Sequence, residues 1–259
     1  MPSYLEQKFG LHGKVALVTG SSQGLGKAMA IALARSGAHV IINGRDEKKL
    51  APVVAEISAL NLGVQATAIA ADLGNRADVA RLIAQAIAWQ GHLDILVNNA
   101  GIIKRTPAVD HSDADWDLVL DVNLNGVFTA CRAAGKHMLA RGSGKIINIA
   151  SLLTFFGGIT VPGYAASKGA VGQLTKALSN EWAGKGVNVN AIAPGYMATD
   201  NTAPLIADPV RSKEILSRIP ANRWGQPSDL EGAIVFLASG ASDYLSGQVM
   251  AVDGGWCGR

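Results

Sequence analysis

Residues 14–27 read KVALVTGSSQGLGK, and this stretch decides the architecture. Lys14–Thr19 is apolar almost throughout, as a strand buried on both faces must be, where a half-exposed strand would alternate. A glycine loop over Gly20–Gly26 follows, and Lys27–Arg35 carries a helical pattern with Gly37 just past its end as a carboxyl cap. Gly20, Gly24 and Gly26 let bare backbone approach a pyrophosphate, and a helix amino terminus offers that group free N–H donors and partial positive charge. The spacing is G-x-x-x-G-x-G and not the commoner G-x-G-x-x-G, so a tight structural turn stays open as the plain alternative.

Outward from this unit, strand and helix keep alternating. His39–Asn43 is predicted as a strand, Asp46 as a helix cap, and Glu47–Leu60 as a helix with Pro52 near its start. The same rhythm is expected over Val64–Ala70, Asn75–Trp89, Asp94–Asn98, Ser112–Arg141, Lys145–Ala150, Tyr164–Ala183 and Val187–Ala193. The expected fold is α/β: one Rossmann-type, doubly wound parallel sheet with helices on both faces. Residues 196–225, with Pro204, Pro209 and Pro220, break the rhythm and are expected to cover a site.

The chain has 259 residues, 49% hydrophobic and 17% charged, enough to bury a large core in a single domain. Its net charge of +3 comes from scattered Lys and Arg, so nucleic acid is not an expected partner. The first twelve residues lack a secretory pattern, and no apolar run approaches the roughly 18 residues a membrane span needs. Cys131 and Cys257 cannot make a disulfide framework, and the cytoplasm is the expected compartment. His12, His39, His92, His111 and His137 show no ligand spacing, so no metal is expected.

In such a sheet ligands settle beyond the carboxyl ends of the strands, so the loops there carry the chemistry. The second strand ends in Asn43-Gly44-Arg45, where an acidic residue would hold a ribose 2′-hydroxyl. Arg45 would instead meet a 2′-phosphate, which favours NADP(H) over NAD(H). Asp72 could accept from an adenine amino group or simply cap a helix. The fourth strand ends in Asn98-Asn99-Ala100-Gly101 and the fifth at Ser151. Tyr164 stands thirteen residues on, and Lys168 one helical turn beyond that. Residues i and i+4 share a helix face, so the Lys168 ammonium is expected to favour the anionic form of a phenol whose ordinary pKa is about 10.

The loop Thr19–Gly26, Asn98–Gly101, Asn123, Ser151, Tyr164-Ala-Ala-Ser-Lys168 and Pro194-Gly195 together resemble the short-chain dehydrogenase/reductase family over nearly the whole chain. That resemblance implies Tyr164 as acid/base, Ser151 on the substrate oxygen, Lys168 on the nicotinamide ribose and Asn123 on a proton path. It also implies cofactor contacts from Gly20, Ser22, Gln23, Gly24, Leu25, Gly26, Arg45, Asp72, Leu73, Asn99, Ala100, Gly101, Tyr164, Lys168, Pro194, Gly195 and Met197. Further stretches, Ala193–Thr202, Arg218–Gly225 and Val252–Trp256, are similar to the 2-deoxy-D-gluconate 3-dehydrogenases and gluconate 5-dehydrogenases within that family. This implies a polyhydroxy acid or keto sugar acid as the small-molecule substrate, and a homotetramer packed through the Tyr164 helix and the C-terminal strand region. Lys104 and Arg105, just beyond Gly101, are expected to bind the substrate carboxylate at the pocket mouth. The first of those groups is generally associated with NAD, against the NADP that Arg45 favours. Other readings are a 3-oxoacyl-thioester (acyl carrier protein) reductase, a glucose-type dehydrogenase and a non-catalytic NAD(P) sensor. The sensor has no chemical need for a tyrosine and a lysine on one helix face.

Overall fold

The computed structural model describes residues 3–259. Seven parallel strands form one sheet in the order β3-β2-β1-β4-β5-β6-β7. They are β1 (Val15–Val18), β2 (His39–Gly44), β3 (Ala66–Ala70), β4 (Ile95–Asn98), β5 (Gly144–Ile149), β6 (Val187–Pro194) and β7 (Val249–Val252). Chain order reverses between β1 and β4, which opens a crevice at their carboxyl ends.

Each strand feeds two cores, because successive side chains point to opposite faces. Val15 and Leu17 pack with α4 (Arg76–Gln90), α6 (Gly126–Arg141) and α7 (Pro162–Trp182). Ala16 and Val18 pack with α2 (Gly24–Arg35), α3 (Glu47–Ala59) and α10 (Glu231–Ala238). The strand Val15–Val18 is fully buried, so the unbroken apolar run in the sequence has its cause in two helix layers.

Several elements depart from the expected spans. Helix α2 begins at Gly24, inside the glycine loop, ahead of the expected start at Lys27. Pro52 stands inside α3 as expected, at its sixth residue, where its missing N–H forgoes one bond to the Lys48 carbonyl. The segment 112–141 is two helices, α5 (Asp113–Leu120) and α6, joined by a π turn over Asp121–Asn125 in which the Gly126 N–H reaches back to the Asp121 carbonyl. An N-terminal helix α1 (Tyr4–Phe9), α10 and β7 lie outside the spans predicted from periodicity. Residues 196–225 leave the sheet and return at one point, where Met197 pairs with Gly225, and carry α8 (Ala203–Ala207) and α9 (Pro209–Leu216). Ile215 and Ile219 fasten this excursion to Leu152 and Trp256 in a small core of its own.

Candidate active site

A cleft of about 1240 Å³ lies over the carboxyl ends of the strands. Its floor begins with Thr19. The Thr19 hydroxyl accepts from the N–H groups of Asn99 and Ala100, both at 3.0 Å, and the Asn99 carboxamide donates to the carbonyls of Thr19 (2.9 Å) and Gly20 (3.0 Å). Asn43, fully buried, donates to the Ile69 carbonyl at 3.0 Å and accepts from the Gly20 N–H at 3.4 Å. Side chains at three strand ends thus hold one loop in place.

That loop fits the phosphates of a dinucleotide. Gly20 sits at φ +61°, and a Cβ on it would come within 2.8 Å of the Ala100 Cα. A Cβ on Gly26 would lie 2.4 Å from the Gly20 carbonyl oxygen and 2.5 Å from the Asn99 amide nitrogen. Only bare backbone can follow this path, and the side chain of the N-cap Gln23 does not cap the first N–H groups of α2. Ser22, Gln23, Gly24 and Leu25 line the cleft beside them. Arg45 does too, and so does Lys49, which sequence reasoning missed although it stands one helical turn beyond Arg45. Two cations and a hydroxyl at one end suit a 2′-phosphate, and the carboxylate beside them, Asp46, caps α3 by accepting from the Lys48 N–H at 2.9 Å.

Not every expected contact is brought to the cleft. Asp72 accepts from the Gly74 N–H at 2.9 Å, and Leu73 is buried in the core, so neither lines the cleft. Its carboxylate closes a turn ahead of α4, whose cap is Asn75, so Asp72 is not the helix cap either. Gln23 also reaches across the cleft, donating to the Asp200 carboxylate at 2.8 Å. This bridge between the glycine loop and residues 196–225 has no local signal in the sequence, since its partners are 177 residues apart. Pro194, Gly195 and Met197 line the cleft where β6 ends.

At the other end of the floor stand Ser151, Tyr164, Lys168 and Arg105. The Ser151 hydroxyl caps the turn after β5 by accepting from the Leu153 N–H at 3.1 Å, and it is hydrogen-bonded to the Tyr164 phenol. Lys168 lies over the Tyr164 ring, 5.6 Å from its centroid, and donates to the Ile149 carbonyl at 2.6 Å. The expected lowering of the phenol by Lys168 is absent. Burial instead holds Tyr164 above its usual value, offset in part by the Ser151 hydrogen bond and the nearby charge of Arg105. The cause is direction: the ammonium faces the ring and a carbonyl, while burial pushes Lys168 itself down to about 8.

Asn123 is wholly buried beneath the floor and does not line the cleft. Its Oδ1 accepts from the Ile102 N–H at 2.8 Å, and its Nδ2 donates to the Ile102 carbonyl (2.9 Å) and the Ser167 hydroxyl (3.2 Å). It sits in the π turn, a local widening that such positions often use. The pair Lys104 and Arg105 separates: Lys104 turns away to Asp115 at 2.8 Å, and only Arg105 lines the cleft.

The family model described as short chain dehydrogenase matches residues 14–209. The chain is 55% identical to the 2-dehydro-3-deoxy-D-gluconate 5-dehydrogenase of Pseudoalteromonas atlantica, covering 98% of this chain and 99% of that one. It is 52% identical to the enzyme of the same name from Escherichia coli K12, over 97% and 98% of the two chains. A crystal structure of a gluconate 5-dehydrogenase from Burkholderia cenocepacia, in complex with NADP and tartrate, superposes with a TM-score of 0.94 at 42% identity over 99% and 100% of the chains.

Proposed function

The chain belongs to the short-chain dehydrogenase family, and from that premise we propose that it is an NADP-preferring dehydrogenase interconverting a secondary alcohol and a ketone on a sugar acid, 2-dehydro-3-deoxy-D-gluconate or gluconate, at carbon 5. The observation that carries this is Ser151, Tyr164, Lys168 and Arg105 converging at one end of a cleft whose other end is the uncapped start of α2 flanked by Arg45 and Lys49. The substrate class is supported by the names of the relatives, and the cofactor by the NADP in the Burkholderia structure.

Bound nicotinamide supplies the two-electron chemistry, taking the hydride of the carbinol carbon or returning it. The protein supplies the proton and the electrostatics. Tyr164 Oη takes the hydroxyl proton in oxidation and gives it back in reduction. Ser151 Oγ, held by its own turn, donates to the substrate oxygen as negative charge gathers there. Lys168 Nζ would hold the ribose hydroxyls of the nucleotide, and the Tyr164 phenol, held up by burial, would be eased down by the positive charge of an oxidised nicotinamide beside it. Arg105 binds substrate beside the reacting oxygen and also eases deprotonation of the phenol. Asn123 grips both polar groups of Ile102 next to Gly101, fixing the floor that a water-linked proton path would cross. Residues 196–225 act as a lid within a single domain, and Gln23 with Asp200 latches it to the glycine loop.

The same reading makes the protein a cytoplasmic homotetramer. Among the described residues no helix is long and apolar enough to cross a membrane, and α5 and α6 expose Trp116, Leu118 and Phe128, apolar groups available for subunit contact.

Steady-state oxidation of 2-dehydro-3-deoxy-D-gluconate, D-gluconate, D-glucose and 2-propanol, each with NADP and with NAD, tests this reading. The expected result is turnover of at least one of the two acids with NADP and none of glucose or 2-propanol. Turnover of acetoacetyl thioesters in place of either acid would overturn it.

A further inference from the structure

Six cations line the cleft, and their partners sort them. Arg45 and Lys49 stand at the glycine-loop end. Lys168 is buried and donates to Ile149. Arg211 is paired with Glu214 at 2.6 Å. That leaves Arg105 and Arg218 for a substrate anion, and neither guanidinium has a hydrogen-bond or ion-pair partner among the described residues.

We propose that Arg218, stacked on Trp256 at the lid, is the anchor for the substrate carboxylate, while Arg105 is reserved for the reacting end. The inference rests on the sugar-acid reading above and deepens it.

Two observations separate the arginines. Arg105 acts on the Tyr164 phenol, so it lies beside the oxygen that reacts. A carboxylate bound there would belong to a 2-hydroxy acid, and it would cancel a charge that assists proton removal. Arg218 is not among the charges that act on the phenol, and it is placed instead by the Trp256 ring. Its guanidinium carbon lies 4.2 Å from the Trp256 ring centroid, with one face on the ring and its N–H edge free for a bidentate carboxylate.

The mounting is rigid. Trp256 is buried and packs on Tyr196 with centroids 4.9 Å apart, and Tyr196 meets Trp224 edge-on at 5.8 Å. The residue after Arg218, Ile219, is buried in the same small core as Leu152, which directly follows Ser151. One packed cluster therefore joins the carboxylate anchor to the residue that holds the reacting oxygen. Their separation is set by packing and not by the mobility of a surface side chain. An acid gripped at both points presents a carbon remote from its carboxylate, which selects the far end of the chain and rejects 2-hydroxy acids.

The test compares 2-dehydro-3-deoxy-D-gluconate and D-gluconate, each beside its neutral C1 amide, in wild type, Arg218→Met, Arg218→Lys and Trp256→Leu. Wild type should favour the acid over the amide by about 10- to 100-fold in kcat/KM, the range of a charge-assisted hydrogen-bonded pair. Arg218→Met should raise KM for the acid by that factor, with kcat within about threefold, and leave KM for the amide and the Kd of NADP unchanged. Arg218→Lys and Trp256→Leu should fall between, since each keeps part of the stacked, planar anchor. If Arg218→Met keeps the preference for acid over amide, the proposal is overturned while the sugar-acid reading stands. If wild type turns over neither acid nor amide, both fall together.

Discussion

On the floor of the cleft, Thr19, Asn43, Asn99 and Asn123 commit their polar groups to backbone atoms of neighbouring elements, and all but Asn99 are fully buried. On the lid, Arg211, Glu214 and Asp200 are exposed and bonded to one another or to Gln23, and Arg218 rests on a ring. A floor built this way can place a proton donor to a fraction of an ångström but cannot change without loss of the loop it supports. A lid held by one crossing point, one small core and the Gln23–Asp200 latch can change its other charges with less loss. Chemistry on the first and substrate choice on the second is the division this molecule makes.

The sharpest way to break that comparison is Tyr164→Phe. The phenol is the proton carrier of the floor and nothing on the lid can replace it, so kcat should fall by about 10³-fold or more with the Kd of NADP unchanged. Stopped-flow and cofactor fluorescence titration read the two quantities, and near wild-type turnover would remove the mechanism. Next in size is Gly26→Ala. Its methyl group would meet the Gly20 carbonyl at 2.4 Å and the Asn99 amide at 2.5 Å, so NADP affinity should drop about 100-fold, along with a lower Tm, because both are backbone or backbone-bonded atoms. An alanine variant that binds NADP normally would show that the floor is less rigid than its hydrogen bonds imply.

Arg45→Ala tests the exposed end of the same wall. Removing one of two cations should reduce the NADP-to-NAD ratio of kcat/KM by about tenfold, as for a charge-assisted bond, with Lys49 retaining part of the preference. An unchanged ratio would assign the preference to Lys49 alone.

The smallest effect is a gain. Burial pushes Lys168 from 10.5 down to about 8, so below pH 8 the folded chain carries an ammonium at a cost that the solvated unfolded chain does not meet. As pH rises from about 8 to 10.5 the folded chain sheds that proton first, the cost shrinks, and above 10.5 it is gone. The full penalty is about 3 kcal/mol, and losing the bond to the Ile149 carbonyl gives back roughly 1–2 kcal/mol of it. Lys168→Met should therefore be inactive yet melt about 3 °C higher at pH 7. The difference should fade towards pH 10 in differential scanning calorimetry. A lower Tm at pH 7 would mean that the lysine is held more comfortably than its burial indicates.

The strand and helix order from Lys14 to Ala193 was legible because its signals are local. Apolar runs, helix caps such as Asp46 and the one-turn spacing of Tyr164 and Lys168 each act within a few residues. Lys104 and Arg105 were read as a pair for the same reason, adjacency, and it misled, since neighbouring side chains point apart and Asp115 drew one away. Asp72 could be read either as a cap or as a ligand because one carboxylate serves both uses, but it closes a turn onto Gly74 and leaves the cap of α4 to Asn75.

The sequence by itself determined the sheet, the glycine loop, the serine, tyrosine and lysine of the floor, and the family. Those rest on covalent spacing and on periodicity, which folding preserves. Only the tertiary structure decided which face of Tyr164 meets Lys168, which arginines remain unpaired, and that Gln23 crosses to Asp200 and Arg218 to Trp256. Those contacts join residues up to 177 positions apart, and what selects them is the packing of whole elements, a quantity no stretch of the chain contains alone.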